Sequence, residues 1–223
     1  TLTYKDNESL SGTIVKEIEK AKHKAKTSTY WANWWKVYGL GEIGSLEGVC
    51  IPDWKSIDNI PQDARLLCGG LDFGYSVDPS TIILLYKWNE AYIFDEVLYR
   101  KGMLNRDISY FLKDNNITIH LWADSAEPKS ISEIRAYGHK IAGVTKGQDS
   151  VIYGINLINQ NEIYITSKSK NLIKELQGYV WAKDKEGNNI QKPTGMHPDC
   201  IDAARYALMM QLQNPNKGKY AIR

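Results

Sequence analysis

The sequence predicts an α/β fold: a mixed sheet of three antiparallel strands followed by parallel strands, with helices on both faces. Three observations carry this reading. From residue 66 onward, three runs rich in β-branched and aromatic residues follow one another with short turns between them. Helical and strand-like patterns then alternate, and a helical segment beginning near Asp199 closes the series. Strands joined by short turns pair antiparallel, whereas strand–helix–strand units give parallel pairs, so the two halves build one mixed sheet.

The elements follow in order. "LLCGGLDFG" is a short apolar run that ends in Asp72. "STIILLYKW" and "AYIFDEVLY", separated by Asn89-Glu90, read as a hairpin pair. In "LNRDISYFLKDNN", Leu104, Ile108, Phe111 and Leu112 recur at helical spacing. "ITIHLWAD" is a strand that ends in Asp124. "PKSISEIRAYG" is a helix with Pro128 in its first turn and Gly138 just past its end. "HKIAGVTKG" reads as a strand, and "DSVIYGINLINQ" and "KNLIKELQGY" as helices flanking the strand "EIYIT". "YVWAKDKEGNNIQK" suggests a hairpin turning at Gly187, where Gly-Asn-Asn suits positive φ. The last helix opens in "HPDCIDAARYAL" and carries Asp199 and Asp202 on one face, with Arg205 three positions beyond Asp202.

Upstream, residues 1–65 differ in character and are expected to form a separate helical, aromatic-rich connector; residues 66–213 form the sheet domain and 214–223 a flexible tail. "SLSGTIVKEIEKAK" opens as a helix capped by Ser9 or Ser11 before Ile14, Ile18 and Ala21, and its lysines suit a solvated face. The glycines Gly39, Gly41 and Gly44 match the dinucleotide fingerprint letter for letter. They lack the strand before and helix after that the motif requires, so a dinucleotide enzyme is not expected.

Bulk properties narrow the class. The 223 residues are 43% hydrophobic and 24% charged with a net charge of +2, a globular composition whose weak basicity does not itself argue for nucleic acid. No stretch approaches the ~20 apolar residues of a membrane span, and no signal peptide is visible. Cys50, Cys68 and Cys200 lack zinc-ligand spacing and suit free, buried thiols in a reducing compartment. A chain that starts at Thr1 is expected to be a piece of something longer.

Three carboxylates stand at strand ends or a helix start: Asp72, Asp124 and Asp202. If the first strand pairs with the fourth, Asp72 and Asp124 become neighbours, and the last helix can bring Asp202 over the same edge. Clustered carboxylates repel one another unless a proton or a cation intervenes. Oxygen ligands select Mg²⁺ or Mn²⁺, and two such ions about 4 Å apart can activate a water and stabilise a leaving oxygen in phosphodiester hydrolysis. Taken singly, Asp72 and Asp124 also suit turns. Asp199 also suits an N-cap or an early-turn position, and Asp202 a reach-back cap. His197 suits either a loop position or a partner of the site.

The segments "LDFGYSVDPS", "LWADSAEPKSISEIRAYG", "VTKGQDSVIYGINLI" and "HPDCIDAARYAL" resemble, in order and spacing, the nuclease domain of the large terminase subunit of tailed bacteriophages. "VYGLGEIGSLEGVCIPDW" resembles the connector that joins that domain to the packaging ATPase. The resemblance covers roughly residues 30–212. It implies a ribonuclease-H-like fold and a two-metal DNA endonuclease that cuts concatemeric genomes with little sequence specificity. It also implies double-stranded DNA, portal protein, small terminase subunit and an ATPase domain of the same full-length chain as partners, in the host cytoplasm. Carried over position by position, the metal-binding aspartates are Asp72, Asp124 and Asp202. Many relatives have histidine where this chain has Asp199, so Asp199 is either a further metal ligand or a cap. No Gly-x-x-x-x-Gly-Lys-Ser/Thr loop occurs, so these residues alone are not expected to hydrolyse ATP. Lys183, Lys185 and Lys192 of the hairpin are expected either to contact DNA phosphates or simply to blunt a sheet edge. The same carboxylates would also serve a junction resolvase, a ribonuclease H or, if idle, a DNA- or portal-binding module.

Overall fold

A computed structural model describes residues 48–147, 149–194 and 198–213, and only scattered positions before them (4, 15, 18–20, 22, 23, 25, 26, 35, 39 and 40). Ser9, Ser11, Ile14, Ala21, Gly41, Gly44, His197 and the tail 214–223 therefore lie outside the described residues. The chain divides into two compact units, Thr1–Val49 and Cys50–Arg223. Within the first unit, Val15, Ile18, Glu19, Lys20, Lys22 and His23 of the expected helix are helical; Ile18 is buried while Lys20 and Lys22 are exposed.

Among its described residues the second unit carries nine strands: β1 (Lys55–Ile57), β2 (Arg65–Asp72), β3 (Ser80–Trp88), β4 (Ala91–Arg100), β5 (Leu121–Ala123), β6 (Ile141–Gly143), β7 (Ile163–Thr166), β8 (Val180–Lys183) and β9 (Asn189–Thr194). Its helices are α1 (Asn105–Asp114), α2 (Pro128–Ala136), α3 (Ser150–Asn159), α4 (Lys170–Gly178) and α5 (Asp199–Gln213). Seven strands form one sheet in the order β1-β7-β4-β3-β2-β5-β6. The β2–β3–β4 meander is antiparallel, while β5 on β2, β6 on β5, β7 on β4 and β1 on β7 are parallel. This is the expected mixed sheet.

Side chains alternate between two cores. Ile82 and Leu84 of β3 join Leu71, Ile108, Leu112, Ile131 and Ile134 beneath α1 and α2. Ile83 and Leu85 join Ile155, Leu172, Leu176, Ile201 and Tyr206 beneath α3, α4 and α5. A strand buried on both faces reads as an unbroken apolar run, which is why "STIILLY" shows no alternation. Local signals set the helix ends. The Asp107 carboxylate accepts the Leu104 N–H at 2.9 Å, and Gly138 takes φ 95° after α2.

Residue 65, where the boundary is expected, is the first residue of β2. Residues 50–65 belong to the sheet-bearing unit, where β1 pairs with β7 and Cys50 and Ile51 are each only 1% exposed. The Cys50 N–H donates to Tyr179 O, and Asn159 Nδ2 donates to Cys50 O. A three-residue strand and a two-residue plug carry too little periodicity to be read in advance. The strand expected across "HKIAGVTKG" is likewise only three residues long, and its remainder forms the loop through Lys146. All three cysteines are free and buried, as expected.

Candidate active site

The pairing of β2 with β5 is the central geometric fact. Their register places Leu71 beside Ala123, so the next residues, Asp72 and Asp124, leave the same edge of the sheet from neighbouring parallel strands. The carboxyl ends of parallel strands are where α/β sheets usually build their sites. Helix α5 crosses the same strands at very close range. A Cβ placed on Gly70 would stand 1.7 Å from Ala203 O. Only glycine permits that approach, and it brings Asp202, next to Ala203, over the edge that carries Asp72.

The entrance of α5 is anchored from two sides. Glu175 Oε2 of α4 accepts the N–H groups of Cys200 and Ile201 at 2.9 and 3.0 Å, and Thr81 Oγ1 of β3 donates to Asp199 O at 3.1 Å. Glu175 thus satisfies two of the orphan donors of the first turn, the service a cap performs. It is 3% exposed, and its Oε1 has no hydrogen-bond partner among the described residues. Burial pushes its pKa up to about 7 against the two helix amides, which pull it down. Glu96 of β4 does the same for α4, accepting the N–H groups of Asn171 and Leu172. Each of these two helices is therefore seated by a carboxylate from another element.

The electrostatics distinguish the carboxylates. Half-buried Asp72 has its pKa pushed up to about 8, first by burial and then by the charges of Asp202, Asp199 and Asp124. All four carboxylates therefore share one field, with Asp72 bearing the repulsion. For Asp124, burial acts to raise the pKa, but the Ala126 amide, Lys146 and Tyr206 outweigh it and hold the group below the usual carboxylate value. Lys146 Nζ lies 2.7 Å from Asp124 Oδ2, and Tyr206 Oη donates to the same oxygen at 3.3 Å. Arg205, 2% exposed, holds Asp202 Oδ1 at 2.6 Å and donates to Ser150 O at 3.2 Å.

Among the described residues, no three carboxylate, imidazole or thiol groups are gathered closely enough to hold one metal ion as they stand. Two of the carboxylates are engaged by side-chain cations instead. The donor set nevertheless fits a hard divalent ion in kind: oxygen ligands only, with a half-buried carboxylate whose like-charged neighbours a cation would relieve.

Sequence reasoning missed Lys146, Tyr206 and Glu175 as parts of the site. Lys146 had a usable signal, since it lies just past the carboxyl end of a strand that neighbours β5. Lys183, Lys185 and Lys192 are exposed on the separate β8–β9 hairpin, whose turn has Gly187 at φ 89° and Asp184 Oδ1 accepting the Glu186 and Asn188 N–H groups. Among the described residues, no helix is long and apolar enough to cross a membrane.

The chain is similar to known proteins over most of its length. The family model "Terminase RNAseH like domain" matches residues 72–210, more than half of the chain and including the four aspartates. The large subunit of the terminase of Bacillus phage SPP1 is 28% identical over 218 residues, covering 92% of this chain and 50% of that protein. The PBSX phage terminase large subunit of Bacillus subtilis (strain 168) is 29% identical over 146 residues, covering 62% of this chain and 33% of the relative. The chain thus spans half or less of the length of these curated relatives. The crystal structure of the g2p (large terminase) nuclease domain from bacteriophage SPP1 with bound Mn superposes with a TM-score of 0.61 at 25% identity, covering 71% of this chain and 97% of that one. The large terminase from the thermophilic bacteriophage D6E shares the fold, with a TM-score of 0.58 at 22% identity over 95% of this chain and 55% of its own. The chain belongs to the terminase RNase H-like domain family.

Proposed function

We propose that this chain is the nuclease portion of a phage genome-packaging terminase, a Mg²⁺- or Mn²⁺-dependent endodeoxyribonuclease that cuts concatemeric double-stranded DNA with little sequence preference. The observation that carries the reading is the convergence of Asp72, Asp124 and the helix bearing Asp202 and Asp199 at one sheet edge. The similar SPP1 nuclease domain, crystallised with Mn, supports the choice of ion.

Asp72, Asp124 and Asp202 would hold the metal, with Asp199 as a further ligand; two divalent ions would there activate a water and stabilise the leaving 3′ oxygen. The chain's own groups do the rest. Gly70 and Glu175 fix the depth and orientation of α5, so the spacing of Asp202 from Asp72 is set before substrate arrives. Tyr206, with its pKa raised by burial and by Asp202, Asp72 and Asp124, stays a neutral hydroxyl that donates to Asp124. Arg205 orients Asp202. Lys183, Lys185 and Lys192 supply sequence-independent phosphate contacts on the hairpin that leads toward α5. The ATPase domain of the full-length chain, the portal protein and the small terminase subunit are the partners this role requires, in the host cytoplasm.

Supercoiled plasmid incubated with Mn²⁺, Mg²⁺ or EDTA tests the proposal. Nicking and linearisation are expected with either metal and none with the chelator. Undiminished cutting in EDTA would overturn the metal mechanism, and no cutting with either metal would favour a DNA- or portal-binding module.

A further inference from the structure

Among the described residues, two positive side chains touch the carboxylate cluster, and they are built differently. Arg205 is 2% exposed and tied to both Asp202 and Ser150 O. Lys146 is 31% exposed and stands in the loop after β6. Its Nζ meets Asp124 Oδ2 at 2.7 Å, donates to Tyr206 Oη at 3.2 Å and lies 4.9 Å from the centre of that ring. The next residue, Gly147, has nothing within 4 Å of where a Cβ would project. One cation is locked in place, and the other is solvent-accessible.

We propose, resting on the nuclease reading above, that Lys146 is a catalytic residue with two positions: it neutralises Asp124 in the metal-free chain, and it turns onto a non-bridging oxygen of the scissile phosphate once a divalent ion takes that carboxylate. Mg²⁺ binds its oxygen ligands at about 2.0–2.1 Å. An ammonium cannot keep a 2.7 Å contact to the same oxygen beside that ion without strong like-charge repulsion. The displaced ammonium stays near, because Tyr206 offers both its hydroxyl and its ring face on the site side. A phosphate brought to the edge that carries Asp124 would meet the same flexible stem. The phosphodiester gains negative charge as water adds to phosphorus, so a point charge delivered there acts most strongly in the transition state.

A fixed surface ion pair is the competing description, and the two differ in sign. Displacement makes Lys146 a competitor of the metal, so Lys146→Met should bind Mn²⁺ more tightly. Titration calorimetry of the whole 223-residue chain without DNA should show roughly two- to fivefold tighter binding, the range a part-exposed ion pair contributes. At saturating Mn²⁺ the same variant should cut plasmid on the order of 10²-fold more slowly. Lys146→Arg, which keeps the charge, should recover Mn²⁺ affinity close to the parent and part of the cleavage. Mn²⁺ affinity in Lys146→Met that is unchanged or weaker than in a parent that binds Mn²⁺ and cuts overturns the proposal, as does parental cleavage at saturation. A parent that neither binds Mn²⁺ nor cuts overturns the nuclease reading, and this proposal with it.

Discussion

Replacing Gly70 by alanine tests how closely the site depends on one packing contact. The new Cβ would lie 1.7 Å from Ala203 O, 2.6 Å from Ala203 C and 3.1 Å from Ala203 Cα. Cβ contacts essentially never fall below 3.0 Å, so strand and helix must separate there by at least about 1.3 Å. The obstructing atoms are backbone, and no rotamer change relieves them. Overpacking of this kind costs about 1–3 kcal/mol, and a domain of this size loses about 2–4 °C in Tm per kcal/mol. The functional effect should be larger. Gly70 lies two residues before Asp72 and Ala203 one after Asp202, so the separation falls directly between two proposed metal ligands. A misplacement of about 1 Å can cost on the order of 10²-fold in rate. Gly70→Ala should therefore melt several degrees lower, keep a native circular dichroism spectrum at 20 °C and cut plasmid about 100-fold more slowly in Mn²⁺. Parental Tm and parental cleavage together would refute the inferred contact and the geometry built on it.

Other substitutions separate the remaining roles. Asp202→Asn should abolish cleavage while leaving the fold intact, whereas Asp199→Asn distinguishes two readings: a large loss of activity marks Asp199 as a ligand, which is the expected outcome, and near-normal activity marks it as part of the helix entrance only. Replacing Lys183, Lys185 and Lys192 together by alanine should weaken DNA binding and flatten the plot of log affinity against log salt while leaving Mn²⁺ affinity in place; an unchanged slope returns the hairpin to a purely solvated role. Glu175 has a folded pKa of about 7 against an ordinary value of 4.5, so the folded chain holds its proton over a window in which the unfolded chain has lost it. The stability from that proton is fully present below pH 4.5 and is lost as pH rises to about 7. Glu175→Gln should remove this share of the pH dependence, and urea denaturation at pH 4.5 and 8 that shows the same change for variant and parent would contradict it.

The placement of Asp72 and Asp124 was legible because these residues punctuate the pattern. Asp72 and Asp124 each end an apolar run, and the strand order that places them side by side is the simplest one that joins a meander to strand–helix units. The hairpin turn at Gly187 was legible from its Gly-Asn-Asn chemistry. What escaped is what depends on distant partners. Glu175 sits among the polar positions of α4, and only the fold shows that it is buried under the start of a helix 25 residues away. Gly70 reads as part of an apolar run until α5 lies against it. Lys146 reads as one lysine among many until β6 pairs beside β5. β1 was hidden by its length, since three residues show no period and its partner β7 lies more than a hundred residues downstream.

The central claim is that Asp72, Asp124 and Asp202 together hold the divalent ion. A crystal of the chain soaked in Mn²⁺ and measured at the manganese absorption edge tests it most directly. Anomalous density is expected at the carboxyl ends of β2 and β5, bounded by those three carboxylates, with Lys146 withdrawn from Asp124. Manganese bound only elsewhere on the chain, with Asp124 still paired to Lys146 and Asp202 to Arg205, would contradict it.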